Sequence, residues 1–139
     1  MAVAIVFYQA FKETAVEAMN LGSDTYKMML TDAAPNVATH AVKADVTQIA
    51  SGNGYTTDGN ACAVVTSAQS GGTYKLVLGS PTPWTGGPSA MGQFRYAVLY
   101  DVTTGGLVGY YDIGVEIILN NTDTFTPTLD GTNGVLTLT

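Results

Sequence analysis

The chain has one cysteine and one histidine in 139 residues. A lone Cys62 forms no intramolecular disulfide and cannot build a cysteine-based metal site. A zinc site of histidines needs more ligands than His40, and a Ser-His-Asp arrangement would have to be built around His40 alone. Charge is also scarce: Asp, Glu, Lys and Arg make up 12% of the chain, about half the usual share of about 25%. Five basic residues face eleven acidic ones, for a net charge of −6. Lys12, Lys27, Lys43, Lys75 and Arg95 are scattered and never form a run. Neutralising a phosphate backbone or an anionic bilayer needs clustered cations, so neither a nucleic acid nor a membrane surface is an expected partner. No apolar run reaches the ~18 residues of a membrane span. The apolar start has no basic leading region and no clear cleavage site, so export through a signal peptide is not expected. Walker and zinc-protease sequences are missing, and Gly52-x-Gly54 lacks the third glycine of a dinucleotide fingerprint.

What is present suits a single packed domain over residues 1–139, with an N-terminal arm and helix (1–22) and a β-rich body (23–139). Hydrophobic residues make up 46%, too many for a disordered chain. Phe7, Phe11, Ala15, Val16 and Met19 recur at three- and four-residue steps, one face of an amphipathic helix. Lys12, Glu13 and Glu17 fall largely on the other side. Gly22 after Asn20-Leu21 offers a left-handed stop.

Beyond Gly22 the period changes. Residues 25–31 read as a strand, and 32–36 break it. Residues 43–50 suit a short helix with Val46, Ile49 and Ala50 on one face. Residues 51–55 are loop chemistry. Further strands are expected at 61–67, 73–78, 94–101, 107–119, 124–125 and 134–139, separated by glycine- and asparagine-rich turns. Thr is the most frequent residue type, as β-structure favours. Residues 79–89 carry three prolines and three glycines and read as a long irregular loop around the only tryptophan, Trp84. The fold expected is mainly β: an antiparallel sandwich, jelly-roll-like, with one N-terminal amphipathic helix. Helical patterns do not alternate with the later strands, which excludes a parallel α/β fold.

Few side chains suggest chemistry. Asp112 and Glu116, four apart on one strand, could share a face as a carboxylate pair of the glycosidase type, with Asp101 a further candidate. Acids kept for solubility explain them more simply. Asn120, Asn121, Asp123 and Asp130 offer loop oxygens to calcium, without EF-hand spacing, and such residues also dominate ordinary turns. No cofactor, metal or catalytic residue is assigned. Cys62, inside an apolar run, reads as a small buried hydrophobe.

The aromatics suggest packing and contact. Phe94, Tyr96 and Tyr100 share strand parity, opposite to Arg95, Ala97 and Leu99, while Tyr110 and Tyr111 point to opposite faces. Trp84 is the best exposed anchor, or else it tucks over the core and pins its loop. Residues 2–8 are apolar throughout, as in a buried strand or an arm docking into a partner. Phe7, Tyr8, Phe11 and Trp84 are the expected partner-contact residues.

Several segments resemble one family. Asn20-Leu21-Gly22-Ser23-Asp24-Thr25-Tyr26-Lys27-Met28-Met29-Leu30-Thr31 followed by Ala34-Pro35 resembles the start of a group of small phage and prophage virion proteins. So do Ala44-Asp45-Val46-Thr47-Gln48-Ile49 leading into Gly52-Asn53-Gly54-Tyr55, then Phe94-Arg95-Tyr96-Ala97-Val98-Leu99-Tyr100, and Asp130-Gly131-Thr132-Asn133-Gly134-Val135-Leu136. The apolar stretch 2–8 departs from the more polar starts of that group. The resemblance implies a tailed-phage particle component without catalytic residues. Its expected form is a capsid decoration (cement) protein, made in the host cytoplasm and sitting as a homotrimer on the outer head, bound to the major capsid protein. The alternative is a tail, fibre or neck component with a carbohydrate- or receptor-binding role. A small β-sandwich hydrolase is a distant third.

Overall fold

The computed structural model describes residues 4–139. In chain order its elements are β1 (Val6–Phe7), α1 (Gln9–Glu17), β2 (Tyr26–Thr31), β3 (Asn60–Cys62), β4 (Val64–Ser70), β5 (Thr73–Leu78), β6 (Trp84–Thr85), β7 (Met91–Asp101), β8 (Leu107–Leu119), β9 (Thr124–Phe125) and β10 (Leu136–Leu138). The chain is mainly β, 43% strand against 9% helical, and every strand pair is antiparallel. Antiparallel neighbours can be joined by short turns, as β4 to β5 and β7 to β8 are here by glycine-containing breaks.

A five-stranded sheet in the order β1-β8-β7-β2-β3 carries most of the core. Its spine is the β7–β8 hairpin. Met28, Met29 and Leu30 on β2 and Ala97, Val98 and Leu99 on β7 have no exposed surface. Consecutive side chains alternate faces, so both faces are covered here, and these strands read as unbroken apolar runs. Three-stranded β10-β5-β4 and two-stranded β6-β9 complete the strands.

Two glycines make close approaches possible. Gly59 sits at φ +75°, where a Cβ would fall within van der Waals overlap of the Met28 carbonyl oxygen. Only glycine tolerates that backbone so near. Gly109 faces Phe7 across the β1–β8 pair, and a Cβ there would meet the Ile5 side chain at 2.7 Å. Its bare backbone admits the N-terminal strand.

Several expectations need correction. The helix ends at Glu17, not near Leu21: the Thr14 carbonyl accepts from both Ala18 and Met19 amides, and the Asp24 carboxylate takes the Asn20 amide. Gly22 is not left-handed. Tyr8 at the N-cap position has no side-chain cap bond; the Gln9 amide is satisfied by the Val37 carbonyl instead. Residues 43–50 form only one 3-10 turn at Lys43–Asp45, because the Asp45 carboxylate folds back onto the Ala41 and Val42 amides. The run at 61–67 divides at Ala63 between two sheets, β3 pairing with β2 and β4 with β5. The Trp84 loop is not wholly irregular, since Trp84–Thr85 pairs with Thr124–Phe125. β7 starts at Met91, three residues before its expected beginning, and β10 is confined to Leu136–Leu138. Of the apolar stretch 2–8, Ala2 and Val3 lie outside the described residues. Val6–Phe7 does form a strand, on the edge of the large sheet. No described helix is long and apolar enough to cross a membrane.

Candidate functional site

An apolar groove of about 360 Å³ lies between α1 and β10. Phe7, Phe11, Ala15, Val16 and Leu21 line it from the N-terminal side, and Leu136 and Leu138 from the strand. Lys12 is its one charged residue. The helix period builds it: Phe11 turns inward at 4% exposure, while Val16, on the apolar face by its spacing, is 85% exposed. Leu138 is 54% exposed. Phe7 and Phe11 are stacked, with ring centroids 5.3 Å apart and planes 11° from parallel. This arrangement offers apolar contact area. A partner that covered Val16 and Leu138 would gain about 1.5–3 kcal/mol from each fully buried side chain.

The four expected contact residues therefore separate. Phe7 and Phe11 meet in the groove. Tyr8 is fully buried, near Tyr110 and His40 at centroid distances of 6.0 and 6.4 Å, and its hydroxyl has no hydrogen-bond partner among the described residues. Burial holds its phenol above the ordinary tyrosine range, with Tyr110 adding to it. Trp84 is 1% exposed, stacked 6.0 Å from Phe125, which in turn meets the Phe94 ring edge-on at 5.2 Å. An exposed Trp84 anchor is thus corrected: the loop folds inward because the β6–β9 pair carries the indole onto the core. A surface role for Tyr8 is corrected on the same ground of burial.

Asp112 and Glu116 are not the simple face pair that strand parity suggests. Gly114 between them is left-handed, at φ +90°, and interrupts the alternation. Asp112 receives Arg95 Nε at 2.8 Å and Nη2 at 3.0 Å, and also the Gly114 amide at 2.8 Å. Arg95 and that amide hold its carboxyl below the usual range. The loop acids serve their own turns. Asp123 accepts from the Asn120 amide, and Asp130 from the Thr132 and Asn133 amides and the Asn133 side chain. Among the described residues no three His, Cys, Asp or Glu side chains are grouped to hold a metal ion. Register shifts in β7–β8 at Phe94/Tyr96 and at Leu99/Tyr100 disperse the three rings of shared parity. Phe94 enters the core, Tyr96 meets Tyr110 edge-on at 5.9 Å, and Tyr100 donates to the Asp58 carbonyl.

Two polar clusters escape sequence reasoning because their members are far apart in the chain. Asp58 accepts from Lys43 Nζ at 2.9 Å and from Gln48 at 3.2 Å, while Gln48 accepts from the Tyr55 hydroxyl and the Asp58 amide. Lys43 and Gln48 together hold the Asp58 carboxyl below its ordinary range. The other cluster pairs Asp24 with Asp101, both buried. No protein-family model, curated protein or solved structure matches the chain.

Proposed function

We propose that this chain is a structural protein of a tailed-phage particle. In this reading it is a decoration protein that binds the major capsid protein on the outer head and stabilises the shell. It is a binding module and not an enzyme, made in the host cytoplasm and carried on the virion. Its five- and three-stranded sheets are read as the layers of a jelly-roll-like sandwich. The observation that carries the reading is the α1–β10 groove, an apolar concavity with Val16 and Leu138 left uncovered. The family resemblance supplies the class of partner. A ligand that binds only the assembled shell stabilises it by mass action, and many weak copies act together.

The test is quantitative mass spectrometry of purified particles from the source of the chain. Copies in proportion to the coat protein support head decoration. A handful per particle moves the chain to the tail, fibre or neck, and absence from the particle overturns the reading.

A further inference from the structure

The three-stranded sheet ends in β4 on one side. Among the described residues no strand lies beyond β4, and its only backbone ladder is to β5. Six of its seven residues are exposed, from Val65 to Ser70. A strand exposed this way presents a row of unpaired amides and carbonyls, which proteins ordinarily blunt with charge, proline, bulges or a covering segment. The other long edge follows that rule. The outer half of β8 carries Asp112 and Glu116, and left-handed Gly114 twists it. At the short β3 edge, the Asn60 side chain donates to the Thr82 carbonyl of the loop after β5. β4 has one register shift near its start, between Val64 and Thr66, and from Thr66 to Ser70 it has neither charge nor proline.

Charge favours a second copy as the occupant. A chain of net charge −6 repels itself over most of its surface. All eleven acids lie outside this sheet, and none occurs between Asp58 and Asp101. The sheet's one charge is Lys75 on β5, whose Nζ donates to the Thr132 carbonyl. β4 is therefore the long edge at which two copies can meet with no carboxylate on either paired strand; the segment around Gly22 packs on the Ser67 side chain. A strand paired with its own copy about a two-fold axis is necessarily antiparallel and self-complementary, and it matches its own length.

We propose that two copies of this chain join through β4, antiparallel across a two-fold axis, to make one continuous six-stranded sheet. The proposal stands apart from the virion reading and differs in symmetry from the homotrimer that the family resemblance implies. Thr66, Ser67 and Ala68, at the middle of the strand, lie nearest the axis.

Sedimentation velocity of the purified chain over a wide concentration range tests it, beside Thr66→Lys. The expected result is a dimer for the parent and a monomer for Thr66→Lys with unchanged circular dichroism. A second measurement covers the case in which the lysine variant does not fold. Cysteines are placed singly at Thr66, Ser67 and Ala68, and at Val115 on β8 as control, under mild oxidation. Buried Cys62 does not compete. A disulfide-linked dimer at one β4 position and none at Val115 supports the pairing. A parent that stays monomeric, a trimer, or a dimer unaffected by Thr66→Lys and uncrosslinked at all three β4 positions overturns it.

Discussion

Asp101 closes β7 with no exposed surface, and the buried carboxyl of Asp24, 77 positions earlier in the chain, lies close enough to raise its titration. Burial is the larger cause, and the Asp24 carboxyl the next, of a carboxyl held above its usual range. Asp101 also accepts from the Thr103 amide and the Thr104 hydroxyl, so the pair organises the β7–β8 turn.

That pair makes stability depend on pH. The folded chain holds the Asp101 proton more tightly than the unfolded chain does. Its contribution is complete below the ordinary carboxylate range and is lost as pH rises through the raised folded value. Asp24→Asn replaces the neighbouring acid with an amide that can donate to Asp101, and keeps an oxygen for the Asn20 amide. The variant is expected to be more stable than the parent at neutral pH, on the order of 1 kcal/mol, with a flatter profile from weakly acidic to weakly alkaline pH. Thermal midpoints of both proteins across that range check this. Parallel profiles would sink the assignment.

Trp84 reports on the core. It is the only tryptophan, so its emission is expected to be blue-shifted and poorly quenched by acrylamide until the chain unfolds. Trp84→Ala leaves a large cavity against Phe125 and is expected to cost about 3–5 kcal/mol. Trp84→Phe removes an indole N–H that has no partner among the described residues and is expected to cost less than half as much. Urea unfolding of the three proteins gives the ranking; equal costs for Ala and Phe would contradict the packing role.

Strand existence was legible where the chain is continuously apolar or sharply punctuated. The strands at 73–78 and 107–119 have the boundaries expected of them, because glycine and Asx residues bracket them; that at 124–125 is expected together with its neighbours, and only those two residues pair. The break at Ala63 was not legible, since a run shared between two sheets has the same composition as one strand. The Trp84 loop misled for a related reason. Its prolines and glycines exclude a long strand, yet two residues suffice to pair with β9, and that pairing decides burial. Val16 fits the helical period but not the burial, because periodicity says which residues share a face and not whether anything covers it. The Asp24–Asp101 pair left no mark on spacing at all.

Gly59 tests the close approach of the 56–59 turn to β2. Gly59→Ala puts a methyl into the Met28 carbonyl from a left-handed backbone. Destabilisation of about 2–4 kcal/mol is expected, measured by denaturant midpoint. Gly131→Ala, where a Cβ meets nothing within 4 Å, is the matched control, and its midpoint is expected to stay near that of the parent.

Cys62 is buried, and burial pushes its thiol up to about 12. The thiolate is the reactive species, so the native chain is expected to resist thiol reagents at weakly alkaline pH. Labelling should proceed only at the rate of opening and accelerate with denaturant. Stoichiometric labelling of the native chain within the mixing time would contradict its place beside β2.

The groove makes the sharpest prediction about binding. Val16 is 85% exposed, and a polar side chain at such a position usually changes stability by less than about 0.5 kcal/mol. Val16→Asp is therefore expected to fold as the parent does. If a partner covers Val16, the variant loses the transfer energy of that side chain and buries a carboxylate besides, a cost of at least about 1.5 kcal/mol. Rebinding to particles stripped of the chain should then weaken by roughly tenfold or more. Val115→Asp is the control, 63% exposed on β8 and outside the groove. Equal loss in both variants would mean general repulsion from an added charge. Loss in Val16→Asp alone would place the contact at the groove, and unchanged binding of both would remove the groove from it.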